Sequence, residues 1–146
     1  MKSYFFLTLA AVVMGLNGCS SPTGTPVEFA NACSIENEKK YIEVGGFLDA
    51  RGSVFCSNIG GGRMECGLDL KETPAGDKKL RVEIEQGSSA NTIEELPRGY
   101  KTEDIKIRDN AGNIINMAAD KVKLTGEMSI APDGSVCFMK VTKIEK

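Results

Sequence analysis

Cys33, Cys56, Cys66 and Cys137 constrain this chain more than any other feature, because its leading segment sends them to an oxidising compartment. Lys2 gives a short positive start, and Tyr4 to Leu16 follow as 13 residues without a charge, with Thr8 the one clearly polar interruption. That is the pattern of an export signal. The run falls short of the ~20 apolar residues that a membrane-spanning helix needs, and it lacks the polar face of a surface helix. Four cysteines behind such a segment read as two disulfides.

The alternative use of four cysteines is a zinc site. The spacings, 22, 9 and 70 intervening residues, contain no close Cys-x₂₋₄-Cys pair, which argues against zinc ligation. Local pattern then selects the pairing. Cys56 and Cys66 flank the turn-forming stretch Ile59-Gly60-Gly61-Gly62, so a hairpin folded there sets the two opposite each other. Cys33 is left to reach Cys137 in the last strand, closing a loop of about 100 residues.

The rest of the chain is written in strands. Tyr41 to Val44 is strand-like, Gly45-Gly46 interrupts, and Phe47 to Ala50 resumes before Ser53 to Cys56; a glycine pair inside such a pattern predicts a bulge or a sharp coil. Met64, Cys66, Leu68 and Leu70 alternate with Arg63, Glu65, Asp69 and Lys71, and Leu80, Val82 and Ile84 with Lys79, Arg81, Glu83 and Glu85. Both are period-two, half-buried strands. From Gln86 to Tyr100 the chain is rich in Gly, Ser, Asn and Pro, with one helical turn predicted over Thr92 to Leu96, capped by Asn91 and stopped by Pro97. Asp109 to Asn113 predicts a small hairpin. Val122 to Ile130, the turn Ala131-Pro132-Asp133-Gly134 and Val136 to Ile144 predict a closing antiparallel pair.

The export segment ends in Leu16-Asn17-Gly18-Cys19. This resembles the lipobox of bacterial lipoproteins, which implies a signal peptide over 1–18, cleavage before Cys19 and acylation of the Cys19 thiol. Two or three acyl chains, at ~0.8 kcal/mol per buried CH₂, anchor a protein stably where one does not. Ser20 in place of Asp implies outer-membrane sorting in a host with two membranes. Residues 19–32, with two prolines and little periodicity, then read as a lipidated flexible tether, and 33–146 as one domain.

A long first strand broken by glycines, two meander strands, an irregular crossover and a final hairpin look like an OB-fold. Lys121-Val122-Lys123-Leu124-Thr125-Gly126-Glu127-Met128 is similar to the fourth strand of many such domains. The expected class is therefore all-β: a small five- to seven-stranded antiparallel OB-like barrel, stapled by disulfides. A lipocalin-like or other small closed barrel is the alternative, since the chain has only a turn and a hairpin where an OB-fold often has a helix.

Composition limits the chemistry. There is no His and no Trp, which excludes histidine catalysis and removes the usual nitrogen ligand for zinc. No Ser-x-x-Lys or Gly-x-Ser-x-Gly occurs, and Gly52-Ser53 and Gly87-Ser88 read as turns. With Lys2 removed, 17 bases face 20 acids, which argues against nucleic acid as a partner. Lys39-Lys40, Lys78-Lys79 and Lys121/Lys123 read as solvated faces, Glu94-Glu95 and Glu103-Asp104 as surface acids without calcium-loop spacing, and Gly60 to Gly62 as a hairpin turn rather than a phosphate cradle. Tyr41, Phe47, Phe55, Tyr100 and Phe138 include the candidates for exposed stacking aromatics. No cofactor, metal or catalytic group is expected. The expectation is a membrane-anchored envelope module that binds another envelope protein or glycan through loops such as Gly87 to Tyr100; the alternative is a small-ligand or oligonucleotide receptor.

Overall fold

The computed structural model describes residues 22–52, 54–58 and 61–146. Cys19 and the export segment lie outside them, as do Ser53, Ile59 and Gly60.

Among the described residues seven strands form, in chain order β1 (Thr25–Pro26), β2 (Tyr41–Asp49), β3 (Phe55–Ser57), β4 (Glu65–Lys71), β5 (Lys79–Glu85), β6 (Val122–Ile130) and β7 (Cys137–Glu145). Five of them close into a barrel. β2 pairs with β6 over its first six residues and with β4 over its last three, β4 pairs with β5, and β6 with β7, all antiparallel. A parallel pairing of β5 with β7 completes the ring. One strand shared between two partners and one parallel seam make this an OB-like barrel. The edge strands β1 and β3 lie outside the ring, on β2 and β4 respectively.

The alternation expected from the sequence builds the core. Ile42, Val44 and Leu48 from β2 face inward with Leu68 and Leu70 from β4, Leu80, Val82 and Ile84 from β5, Leu124 and Met128 from β6, and Met139 and Ile144 from β7. Each is essentially without solvent contact. Burying a side chain of this kind contributes roughly 1.5–3 kcal/mol.

Three sequence expectations need correction. β2 is continuous through Gly45-Gly46; Gly46 is the last residue paired with β6 and Phe47 the first paired with β4, so the glycines mark a change of partner. The register shift falls instead between Thr125 and Gly126, on β6 against β7. The predicted turn at Thr92 to Leu96 is not helical: Ile93 bridges Gln86 and Ile107, and its N–H donates to the Glu85 carbonyl. Asn91 adopts a left-handed φ of 60° and its side-chain oxygen accepts the N–H of Ile144, so it ties the crossover to β7 instead of capping a helix. Lastly, the packed domain begins before Cys33. β1 pairs parallel to the start of β2, the Val27 N–H donates to the Glu43 carbonyl, and Ala32 is buried. Paired and packed, Thr25 to Ala32 belong to the domain rather than to the tether.

Cys33 is joined to Cys137 and Cys56 to Cys66, the pairing expected above. Cys56 and Cys66 stand directly opposite each other in the β3–β4 ladder. The Cys33–Cys137 bridge fixes the N-terminal segment to the first residue of β7.

Candidate functional site

Two depressions meet where β2 ends. One is a cleft of about 440 Å³ between the C-terminal half of β2 and the 102–118 connection, with Phe47, Leu48, Ala50, Ile105, Ile115 and Met117 as its apolar walls. The other is an open groove over the outer face of β4 and β5, running past Asp69, Lys79 and Arg81 to Phe55 and Cys137. Asp49, Arg51, Lys71 and Pro74 line the cleft and the groove alike.

Asp49 organises that shared rim. Oδ1 accepts the Arg51 backbone N–H at 3.0 Å and its Nε–H at 2.9 Å; Oδ2 accepts Arg51 Nη2–H at 3.0 Å and meets Lys71 Nζ at 3.1 Å. Arg51 Nη2 also donates to the Pro74 carbonyl. The Arg51 side chain above all, with its backbone N–H and Lys71, holds the Asp49 carboxyl well below the usual carboxylate range against the opposing effect of burial. The acid is therefore ionised at any physiological pH, and it orients two cations.

On the groove floor, Asp69 meets Lys79 at 3.1 Å and Arg81 at 3.5 Å. Phe55 faces Gly67 in the β3–β4 ladder. A Cβ on Gly67 would lie 2.6 Å from Arg81 Nη2, so the missing side chain is what lets the guanidinium lie across β4 towards the strand that carries Phe55. Phe55 is 66% exposed, in a groove where Arg51, Lys71, Lys79 and Arg81 share Asp49 and Asp69.

Further along the same face, Glu83 is opposed to Lys140 of β7. Burial, then the nearby charge of Glu65, pushes its carboxyl above the usual value despite Lys140 and Arg81. A carboxyl whose folded pKa exceeds its unfolded one costs stability when ionised and costs none at pH below both values. Glu83→Gln is expected to raise the melting temperature at pH 7, with the gain shrinking as pH falls through the carboxylate range; a gain constant down to pH 3 would contradict this.

Of the residues singled out in the sequence, Phe55 and Lys79 meet in the groove; the others do not converge. Lys39 and Lys40 are exposed, Lys78 pairs with Glu72, and Lys123 lies between Glu43 and Glu145. Glu94 is engaged by Arg108 and Lys106, and Asp104 accepts the Lys101 N–H at its own turn. Tyr100 is an anchor, its hydroxyl donating to the Val54 carbonyl at 2.8 Å. Phe47 lines the cleft and Phe55 the groove. The loop Gly87 to Tyr100 is anchored by Thr92 and Ile93, which are buried, and by the Gly87 N–H, which donates to the Ile93 carbonyl, while Ser88 to Ala90 and Pro97 to Gly99 stay exposed.

Asp49, Arg51 and the juxtaposition of Lys71 with both escaped sequence reasoning. The usable signal was there, since Asp49, Asp69, Lys71, Lys79 and Arg81 all occupy outward positions of alternating strands; what was missing was the β2-to-β4 register that aligns Asp49 with Asp69. Fold and site define a class, a disulfide-braced OB-like barrel with a mixed aromatic and charged groove. No protein-family model matches the chain, and no curated protein matches it.

Proposed function

We propose that this protein is a lipid-anchored component of the bacterial envelope, held by Cys19 in the outer membrane, and that its barrel is a non-enzymatic binding module for another envelope component. A glycan fits the groove best. An exposed ring can lie against the C–H face of a sugar, and the side chains of Asp69, Lys79 and Arg81 beside it can hydrogen-bond hydroxyls. The observation that carries this reading is Phe55, an aromatic residue two-thirds exposed in the groove over the outer face of β4 and β5. These are the second and third strands of the barrel, the surface with which OB-folds hold oligosaccharides and oligonucleotides.

The groove is tested by photo-crosslinking from position 55 in intact cells. A glycan adduct that disappears with Arg81→Ala supports the proposal. Capture of a single envelope protein in its place would move the reading to a protein partner, and salt-dependent binding of single-stranded oligonucleotide by the purified protein would overturn it. The anchor is tested separately. Cys19→Ser is expected to abolish labelling by radioactive palmitate and to release the protein from the membrane fraction; undiminished labelling would refute lipidation at Cys19.

A further inference from the structure

We propose that the cleft beside β2 is a binding site for a free, medium-chain amphiphile carrying one negative headgroup, of which a fatty carboxylate is the simplest. This goes beyond the envelope-binding groove, with which the cleft shares its rim of Asp49, Arg51, Lys71 and Pro74 but not its apolar walls.

The polarity of the ligand follows from donor bookkeeping at the rim. A carboxylate offers about four acceptor positions, and all four on Asp49 are occupied by Arg51 and Lys71. Asp49 has nothing left for a cationic or hydroxylic ligand. The cations it holds do have capacity. Among the described residues Arg51 Nη1 has no acceptor, and Lys71 Nζ meets Asp49 alone. Two oriented cations with unused N–H groups at the rim of the cleft are a receptor for a single carboxylate or phosphate oxygen pair. Glu103, the other acid on the lining, is exposed on the 102–118 side, where water screens it.

The apolar part of the ligand follows from the walls. Leu48, Ala50, Ile105 and Ile115 are buried, Phe47 and Met117 half-buried, and nothing charged lies among them. The volume of about 440 Å³ is roughly that of fifteen waters in the liquid, within the size range of small-molecule sites. A chain of eight to ten carbons would displace that water, and each methylene buried should tighten binding roughly fourfold.

The test uses the full lipidated protein in nanodiscs of zwitterionic lipid, with its methionine methyl groups ¹³C-labelled. Met117 lines the cleft, Met128 and Met139 are buried in the core, and Met64 lies away from both. Decanoate is expected to shift the Met117 methyl signal saturably and leave that of Met64 in place, with decylammonium and decyl glucoside at least tenfold weaker. The double variant Arg51→Gln/Lys71→Gln should lose that preference for the anion. Ala118→Trp, at an exposed position on the lining, should block the response while the Met128 and Met139 signals report an intact core. Phe55→Ala should leave the decanoate response unchanged, which separates failure of this site from failure of the groove. Equal responses to decanoate and decylammonium, or no response at Met117, would overturn the proposal. A Met117 shift that follows the phosphatidylglycerol content of the disc without added decanoate would overturn it too, since the occupant would then be a membrane lipid.

Discussion

Removing the Cys33–Cys137 bridge by Cys33→Ser/Cys137→Ser is expected to lower the unfolding free energy by about 4–5 kcal/mol, read as a fall in the urea midpoint with reductant absent. The bridge spans 104 residues, and chain entropy assigns ~4.7 kcal/mol to a loop of about 100. The Cys56–Cys66 bridge spans 10 and should contribute about 3 kcal/mol or less by the same reasoning. The long bridge also fastens a segment that the barrel grips weakly, the two-residue β1 and the 3₁₀ turns over Phe29–Asn31 and Ile35–Asn37. Against a total stability of about 5–15 kcal/mol for a domain of this size, the double variant is left marginal. If it lost no more than the Cys56→Ser/Cys66→Ser variant, the bridge would be a local clip and the argument from loop length would be wrong.

The second large effect belongs to Gly126. At this point β6 shifts register against β7, and a Cβ would lie 2.3 Å from the Lys140 carbonyl oxygen and 2.6 Å from Met139 Cγ. A backbone oxygen cannot swing aside as a side chain can. Gly126→Ala must therefore push β7 away or rebuild the bulge, with an expected loss of about 2–4 kcal/mol. Gly62→Ala is the control: among the described residues nothing lies within 4 Å of its Cβ position, and the substitution should be neutral or slightly stabilising through the unfolded chain. Thermal melts of the two variants make the comparison. A Gly126→Ala protein melting within a degree or two of the parent would show that the close approach is not rigid.

Gly126 also shows what the sequence discloses. The run from Val122 to Met128 was legible as a strand, and its likeness to a fourth OB strand included the glycine, but the reason for the glycine is the Lys140 carbonyl of the neighbouring strand. Period-two patterning suffices for β5 and for most of β4 and β6, where one face is buried and the other is not; at the register shift Thr125 is buried as well, and the alternation of β7 slips between Val141 and Ile144. The cysteine pairing was legible because a hairpin makes one pair local. Where identity depends on a distant partner, local chemistry misleads. Asn91 with Pro97 four residues beyond Ile93 mimics a capped and stopped helix, yet Asn91 serves Ile144, 53 residues away. The cleft suffers the same limitation, since its walls come from β2, the 102–118 connection and Pro74, segments that nothing in the linear pattern brings together.

The early start of the packed domain sets a leash length. With Cys19 lipidated as proposed, five residues, Ser20 to Gly24, separate the acylated residue from Thr25, where pairing with Ile42 begins. The six steps from Cys19 to Thr25 extend at most roughly 20 Å, little more than half the reach of a tether running to Ala30. A barrel on so short a leash sweeps a shallow layer over its own membrane. Partners embedded in that membrane or lying flat on it meet it at high effective concentration, and those stationed deeper in the envelope stay out of range until they come to it.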